Sequence, residues 1–155
     1  ISSSRSFIFT SIDPDPEYSL RVRYIEYRED QDGVQYLQKQ FPNSDTSKAD
    51  GFLYEANKFK KPMGVTVAGD RTNYIFVIDA GSDSLFQFNA EGYEGVNPPP
   101  FSTSKKQITA SFGGTGIGLT QFNNPTSVAY YDKILYVADQ GNSRVLRFKL
   151  TTDFD

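Results

Sequence analysis

The feature that most constrains this chain is an internal repeat. Residues 74–88 align without a gap on residues 134–148, at an offset of 134 − 74 = 60. Each copy runs from an apolar segment into an aspartate, Asp79 or Asp139. A small polar turn carrying Gly81 or Gly141 follows, and then a second apolar segment. A matched piece lies upstream of each copy. Residues 59–67 align on 122–130 and superpose Pro62 on Pro125 at an offset of 125 − 62 = 63, so the first copy holds three extra residues in its 68–73 turn. Repeats of this kind stack, because one unit cannot bury both of its faces alone.

The segments are four to six residues long, rich in β-branched and aromatic side chains, and bounded by Gly, Asn, Asp and Pro. That pattern predicts strands rather than helices. With the strands of a unit named a to d, residues 59–112 hold a complete unit and residues 121–150 hold strands a to c. A degenerate unit threads through residues 1–58, with 7–13, 20–24 and 34–41 read as strands b, c and d before a long loop. The total is 3 + 4 + 3 = 10 predicted strands in one all-β, antiparallel domain spanning 1–155. The mass of 17.4 kDa suits a single domain.

These residues resemble the NHL repeat, a four-stranded β-propeller blade. The resemblance rests on Gln121-Phe122-Asn123-Asn124-Pro125 leading into strand a, Leu135-Tyr136-Val137-Ala138-Asp139 as strand b, and Gly141-Asn142-Ser143-Arg144-Val145 opening strand c. Phe112-Gly113-Gly114-Thr115-Gly116 is similar to the segment that follows strand d in that family. The earlier copy departs from the pattern, with Ser82, Asp83 and Ser84 where Asn, a variable residue and Arg are expected. About two thirds of the chain is covered. The resemblance implies a propeller segment of about three blades, two of them incomplete. Function does not follow from the fold, since propellers host many unrelated activities.

Local chemistry gives the motif residues structural roles. Asp79 and Asp139 close a strand where a carboxylate can accept the free N–H groups of the following turn. Gly81 and Gly141 would permit positive φ there. Arg144 can reach Asp139 or a neighbouring carbonyl. A propeller ring needs about four to eight blades. The chain is therefore expected to be a segment of a longer protein, or a subunit whose copies complete a ring or fibre. A long c–d connection over 93–107 contains Pro98, Pro99, Pro100 and Phe101, and its proline run suits an exposed contact arm. A second long connection spans 42–58.

Composition narrows the chemistry. There is no Cys and no His, which removes thiolate and imidazole zinc sites and the commonest general base. No catalytic residue is proposed. The acidic groups Asp13, Asp15, Glu17 and Glu29, Asp30, Asp32 offer oxygen ligands of the kind Ca²⁺ takes. Neither follows the EF-hand spacing, so solvated loops are the plainer reading and no cofactor is predicted. The glycines from Gly113 to Gly118 do not satisfy GxGxxG. RNA binding occurs among NHL propellers, but Lys58, Lys60, Lys61, Lys105 and Lys106 are few against a net charge of −3. No apolar run reaches the roughly 20 residues that span a bilayer. The expected function is a non-catalytic protein-interaction scaffold, secreted or in the cell envelope. Its expected partners are proteins or neighbouring copies. The competing reading is a segment of a propeller hydrolase or lyase with its catalytic residues elsewhere.

Overall fold

The two matched stretches form two sheets with the same register. The computed structural model describes residues 3–12, 21–31, 33–39, 58–70, 72–90, 92–95 and 111–150. Among these residues are ten strands in three antiparallel sheets, none closed, and no α-helix. The first sheet holds β1 (Ser3–Ser11), β2 (Arg21–Asp30) and β3 (Gly33–Lys39), in that order. The second holds β4 (Pro62–Val67), β5 (Ile75–Asp79), β6 (Ser84–Phe88) and β7 (Phe112–Gly113). The third holds β8 (Pro125–Tyr131), β9 (Ile134–Asp139) and β10 (Arg144–Lys149).

Pro62 stands opposite Asp79, and Pro125 opposite Asp139. In both sheets the register then shifts, so that Gly64 meets Ile78 and Ser127 meets Ala138. Proline cannot donate to a strand ladder, and the first strand position beside a bulge is where that costs least. The three extra residues lie where the alignment put them. β8 and β9 are joined by two residues alone, Asp132 and Lys133, with φ of 47° and 60°. Positive φ at both central residues matches the twist of a two-residue hairpin. The longer β4–β5 connection instead closes with Asp70 Oδ1 accepting the Thr72 N–H at 2.9 Å.

β5 explains why the sheets stack. All five of its residues are buried. Ile75 and Val77 face a core shared with Val22, Phe59 and Phe88, while Phe76 and Ile78 face a second core with Phe122, Val128, Leu135 and Val137. Period-two alternation sends successive side chains to opposite faces, so a strand apolar at every position must be covered on both. The second sheet therefore lies between the first and the third. Phe122, fully buried, packs with Phe112 and Phe148 at ring-centroid distances of 6.0 and 6.1 Å.

One expectation needs correction. The sequence pattern reads residues 7–13 as a second strand, b, and the strand described there is β1. It is an edge strand lying against β4, and β4 in turn lies against β8. β1 thus holds the position of β4 and β8, the first strand of its sheet, and β2 and β3 follow as second and third. The fourth strand of the second sheet is described at Phe112–Gly113, with Phe112 opposite Leu85 and Gly113 opposite Ser84, and residues 101–110 before it lie outside the described residues.

Candidate functional site

In the second and third sheets the motif residues converge on the turn that joins the second and third strands. In the third sheet Asp139 ends β9 with no exposed surface. One oxygen, Oδ1, accepts the Asn123 N–H at 2.7 Å. The other, Oδ2, accepts the Asn142 amide at 2.8 Å and Arg144 Nε at 2.7 Å. A carboxylate taken out of water needs such donors, since an unpaired buried charge is strongly unfavourable. Burial pushes this carboxyl up. The Asn123 N–H, the Asn142 amide and the Arg144 guanidinium outweigh that effect and hold it below its ordinary value.

The second sheet repeats the arrangement with different side chains. Asp79, also fully buried, accepts the backbone N–H groups of Lys60, at 3.2 Å, and of Lys61. Ser82 Oγ donates to it at 2.6 Å, where Asn142 does in the third sheet. Ser84 takes the place of Arg144 and turns to the Ser82 carbonyl at 2.8 Å. The backbone donors reaching both aspartates come from the segment leading into the first strand, 16 to 19 residues upstream. They do not come from the following turn, as the sequence suggested. Asp139 does not cap the backbone of the 3-10 turn over Gln140–Asn142 that it precedes; from that turn it takes only the Asn142 side-chain amide.

The glycines serve a purpose other than the expected one. Neither Gly81 nor Gly141 has positive φ; that conformation belongs to Asp83, at 47°, and Ser143, at 52°. A Cβ on Gly81 would lie 2.9 Å from Lys60 C and Lys61 N, and one on Gly141 would lie 2.6 Å from the Asn123 carbonyl oxygen. Glycine is needed because the lead-in backbone passes directly over the turn. The contact is fixed by the Ala80 N–H to Lys61 O bond and the Gly141 N–H to Asn123 O bond, at 2.9 and 2.8 Å.

Arg144 reaches both kinds of target foreseen for it. Nε holds Asp139, Nη1 donates to Ile117 O at 2.7 Å, and Nη2 donates to Gly118 O and Gln121 O at 2.8 and 2.9 Å. The glycine-rich segment between β7 and β8 is thus a linker gathered around a guanidinium. Asn142 adds a bond to Gly116 O at 2.8 Å. From the second sheet, Asp83 accepts the Thr115 hydroxyl at 2.6 Å and the Asn124 N–H at 2.8 Å. Sequence reading missed Asp83, Asn142 and Ser82. The matched spacing of Ser82 and Asn142, each three residues after its aspartate, was the available signal.

At the opposite end of the sheets the Tyr130 hydroxyl donates to Asp70. Burial and this bond raise the Tyr130 pKa. Burial would raise that of Asp70 too, but its bonds to Thr72 and Tyr130 bring it below the ordinary value. Lys58, from the small basic cluster, is paired with Glu94 and sits 5.6 Å from the centre of the Phe86 ring. Pro98, Pro99, Pro100 and Phe101 lie outside the described residues, as do Asp13, Asp15, Glu17, Asp32, Lys105 and Lys106. Among the described residues no group of three or more acidic side chains could hold a metal ion, and no helix is long and apolar enough to cross a membrane. No protein-family model and no curated protein matches this chain.

Proposed function

We propose that the chain is an NHL-like β-propeller segment acting as a non-catalytic protein-interaction scaffold. The observation that carries this reading is the repeated clamp. In two successive sheets a buried aspartate lies opposite a proline and holds the lead-in backbone in the same way. Such a clamp fixes each sheet to its own linker and makes a rigid frame on which loops can vary. The first strands β1, β4 and β8 lie side by side, as the inner strands of blades do around a channel. The two fully buried carboxylates, Asp79 and Asp139, have their oxygens engaged by the framework, which gives them a structural use.

Electron microscopy of the natural protein tests the frame. Sheets arranged radially about a channel are expected, and a two-layer sandwich would refute the propeller. The non-catalytic part is tested separately against ester, lactone and polysaccharide substrates. Turnover abolished by a substitution within this chain would overturn it.

A further inference from the structure

Two departures from the repeat meet each other between the second and third sheets. The first is a matter of length, since residues 68–73 hold three more than their counterparts 131–133. The second is a side chain. Tyr130 stands where the earlier copy has Val67, at an offset of 130 − 67 = 63. Neither belongs to the shared pattern, yet the longer turn supplies a carboxylate, Asp70, and the Tyr130 hydroxyl donates to its Oδ2.

The turn is built to hold that carboxylate still. Asp70 Oδ1 accepts the Thr72 N–H at 2.9 Å and the Thr72 hydroxyl. Thr72 Oγ1 in turn accepts the Tyr74 N–H at 3.4 Å, and the Ala68 N–H closes the neck on Tyr74 O at 2.8 Å. A local turn of this kind occupies one carboxylate oxygen and leaves the other for the next sheet. Tyr130 is fixed as well. Its ring stacks on Phe76 of the second sheet, with centroids 6.3 Å apart and planes 8° apart. Its oxygen accepts the Lys133 N–H at 3.2 Å, which leaves the phenol proton to Asp70. Ala68, Tyr74 and Phe76, in the core cluster that Tyr130 packs against, are buried.

The rest of this seam is held differently. At the clamp end, Asp83 accepts Thr115 and Asn124 through its side chain and the Gly114 N–H through its carbonyl, at 2.8 Å. Along its length β4 and β8 run in contact, with Ser127 Cα and Val128 N each 3.4 Å from where a Cβ on Gly64 would stand. We infer that the long β4–β5 turn is a latch, which shuts the hairpin end of the seam over Ala68, Tyr74 and Phe76 by holding the Tyr130 hydroxyl of the next sheet. Once that bond is released, the hairpin end opens while the clamp end stays shut. The latch concerns the joint between two units and goes beyond the scaffold reading, on which it does not depend.

Hydrogen exchange read amide by amide tests this. Tyr130→Phe keeps the ring and removes the hydroxyl. Exchange at the Ala68 amide, across the seam from the substitution, is expected to quicken about tenfold. The amides of Gly114, Asn124 and β5 are expected to keep their wild-type rates. Asp70→Ala removes the acceptor instead, and in that background Tyr130→Phe is expected to add less than about twofold. Unchanged Ala68 exchange in Tyr130→Phe overturns the latch. So does an equal quickening at Ala68, Gly114 and Asn124, which would mean a general loosening of the two sheets. Full additivity of the two substitutions overturns it too. A sandwich in place of a radial array would refute the propeller and leave these exchange results as they stand.

Discussion

Arg144 Nε lies 2.7 Å from Asp139 Oδ2, and the two partners meet solvent unequally. The acid side chain is fully buried, while the base keeps 25% of its side-chain surface. The remaining guanidinium nitrogens hold three linker carbonyls. The pair is thus a joint between a sheet and the segment that delivers the chain to it.

Removing the acid should cost more than losing a turn cap. Loss of a capping acceptor by itself costs about 1–2 kcal/mol. With a partly buried guanidinium left uncompensated, about 3 kcal/mol is expected, the lower end for a broken buried pair because Arg144 retains water. Urea unfolding of Asp139→Ala, Arg144→Ala and the double variant checks this. A coupling energy of about 0.5–3 kcal/mol is expected, and strict additivity would count against the joint.

Stability should fall in acid partly through Asp139. Its folded pKa is depressed, so its stabilising contribution is present above the unfolded value of about 3.9 and is lost as pH falls through the folded value. Unfolding midpoints measured from neutral pH down to about pH 3 should drop more steeply in wild type than in Asp139→Asn. Parallel curves would show that the carboxylate is not the titrating element.

Two kinds of glycine should answer differently to a methyl group. Gly141→Ala and Gly81→Ala drive a Cβ against lead-in backbone and should cost about 1–3 kcal/mol. Gly69→Ala meets nothing within 4 Å and should stay within about 0.5 kcal/mol of wild type. Thermal melts of the three variants suffice, and equal losses at all three positions would contradict the close-approach account.

Asp83 should hold the second sheet to the third sheet's lead-in. In Asp83→Ala the Asn124 N–H loses its acceptor, with a cost of about 1 kcal/mol. Amide exchange should quicken at Asn124 and leave the β5 amides slow. Unchanged exchange at Asn124 would remove this role.

Much of the frame was legible because repeats report register. The alignment placed β4, β5, β6, β8, β9 and β10, and it located the extra residues between β4 and β5. It did not show which donors reach the aspartates, because those donors lie 16 to 19 residues away and meet the turn only after the sheet folds. The glycines were misread for a related reason. A Gly beside a turn suggests positive φ, whereas here Asp83 and Ser143 take that conformation and Gly81 and Gly141 make room for passing backbone. β1 was misassigned because Ile8 and Phe9 fit either strand pattern, and only its placement against β4 decides.

The two ends of the sheets differ in their freedom to change length. Between β5 and β6, and between β9 and β10, the chain spends the same four residues, 80–83 and 140–143, under clamped backbone. Between β4 and β5 it spends seven, 68–74, where β8 and β9 need two. Grafted sequence therefore belongs at the second end, where added loop length costs only a slowly growing closure entropy. A foreign peptide placed between Asp132 and Lys133 would be displayed from a hairpin tip, far from the joint that keeps the sheets in order.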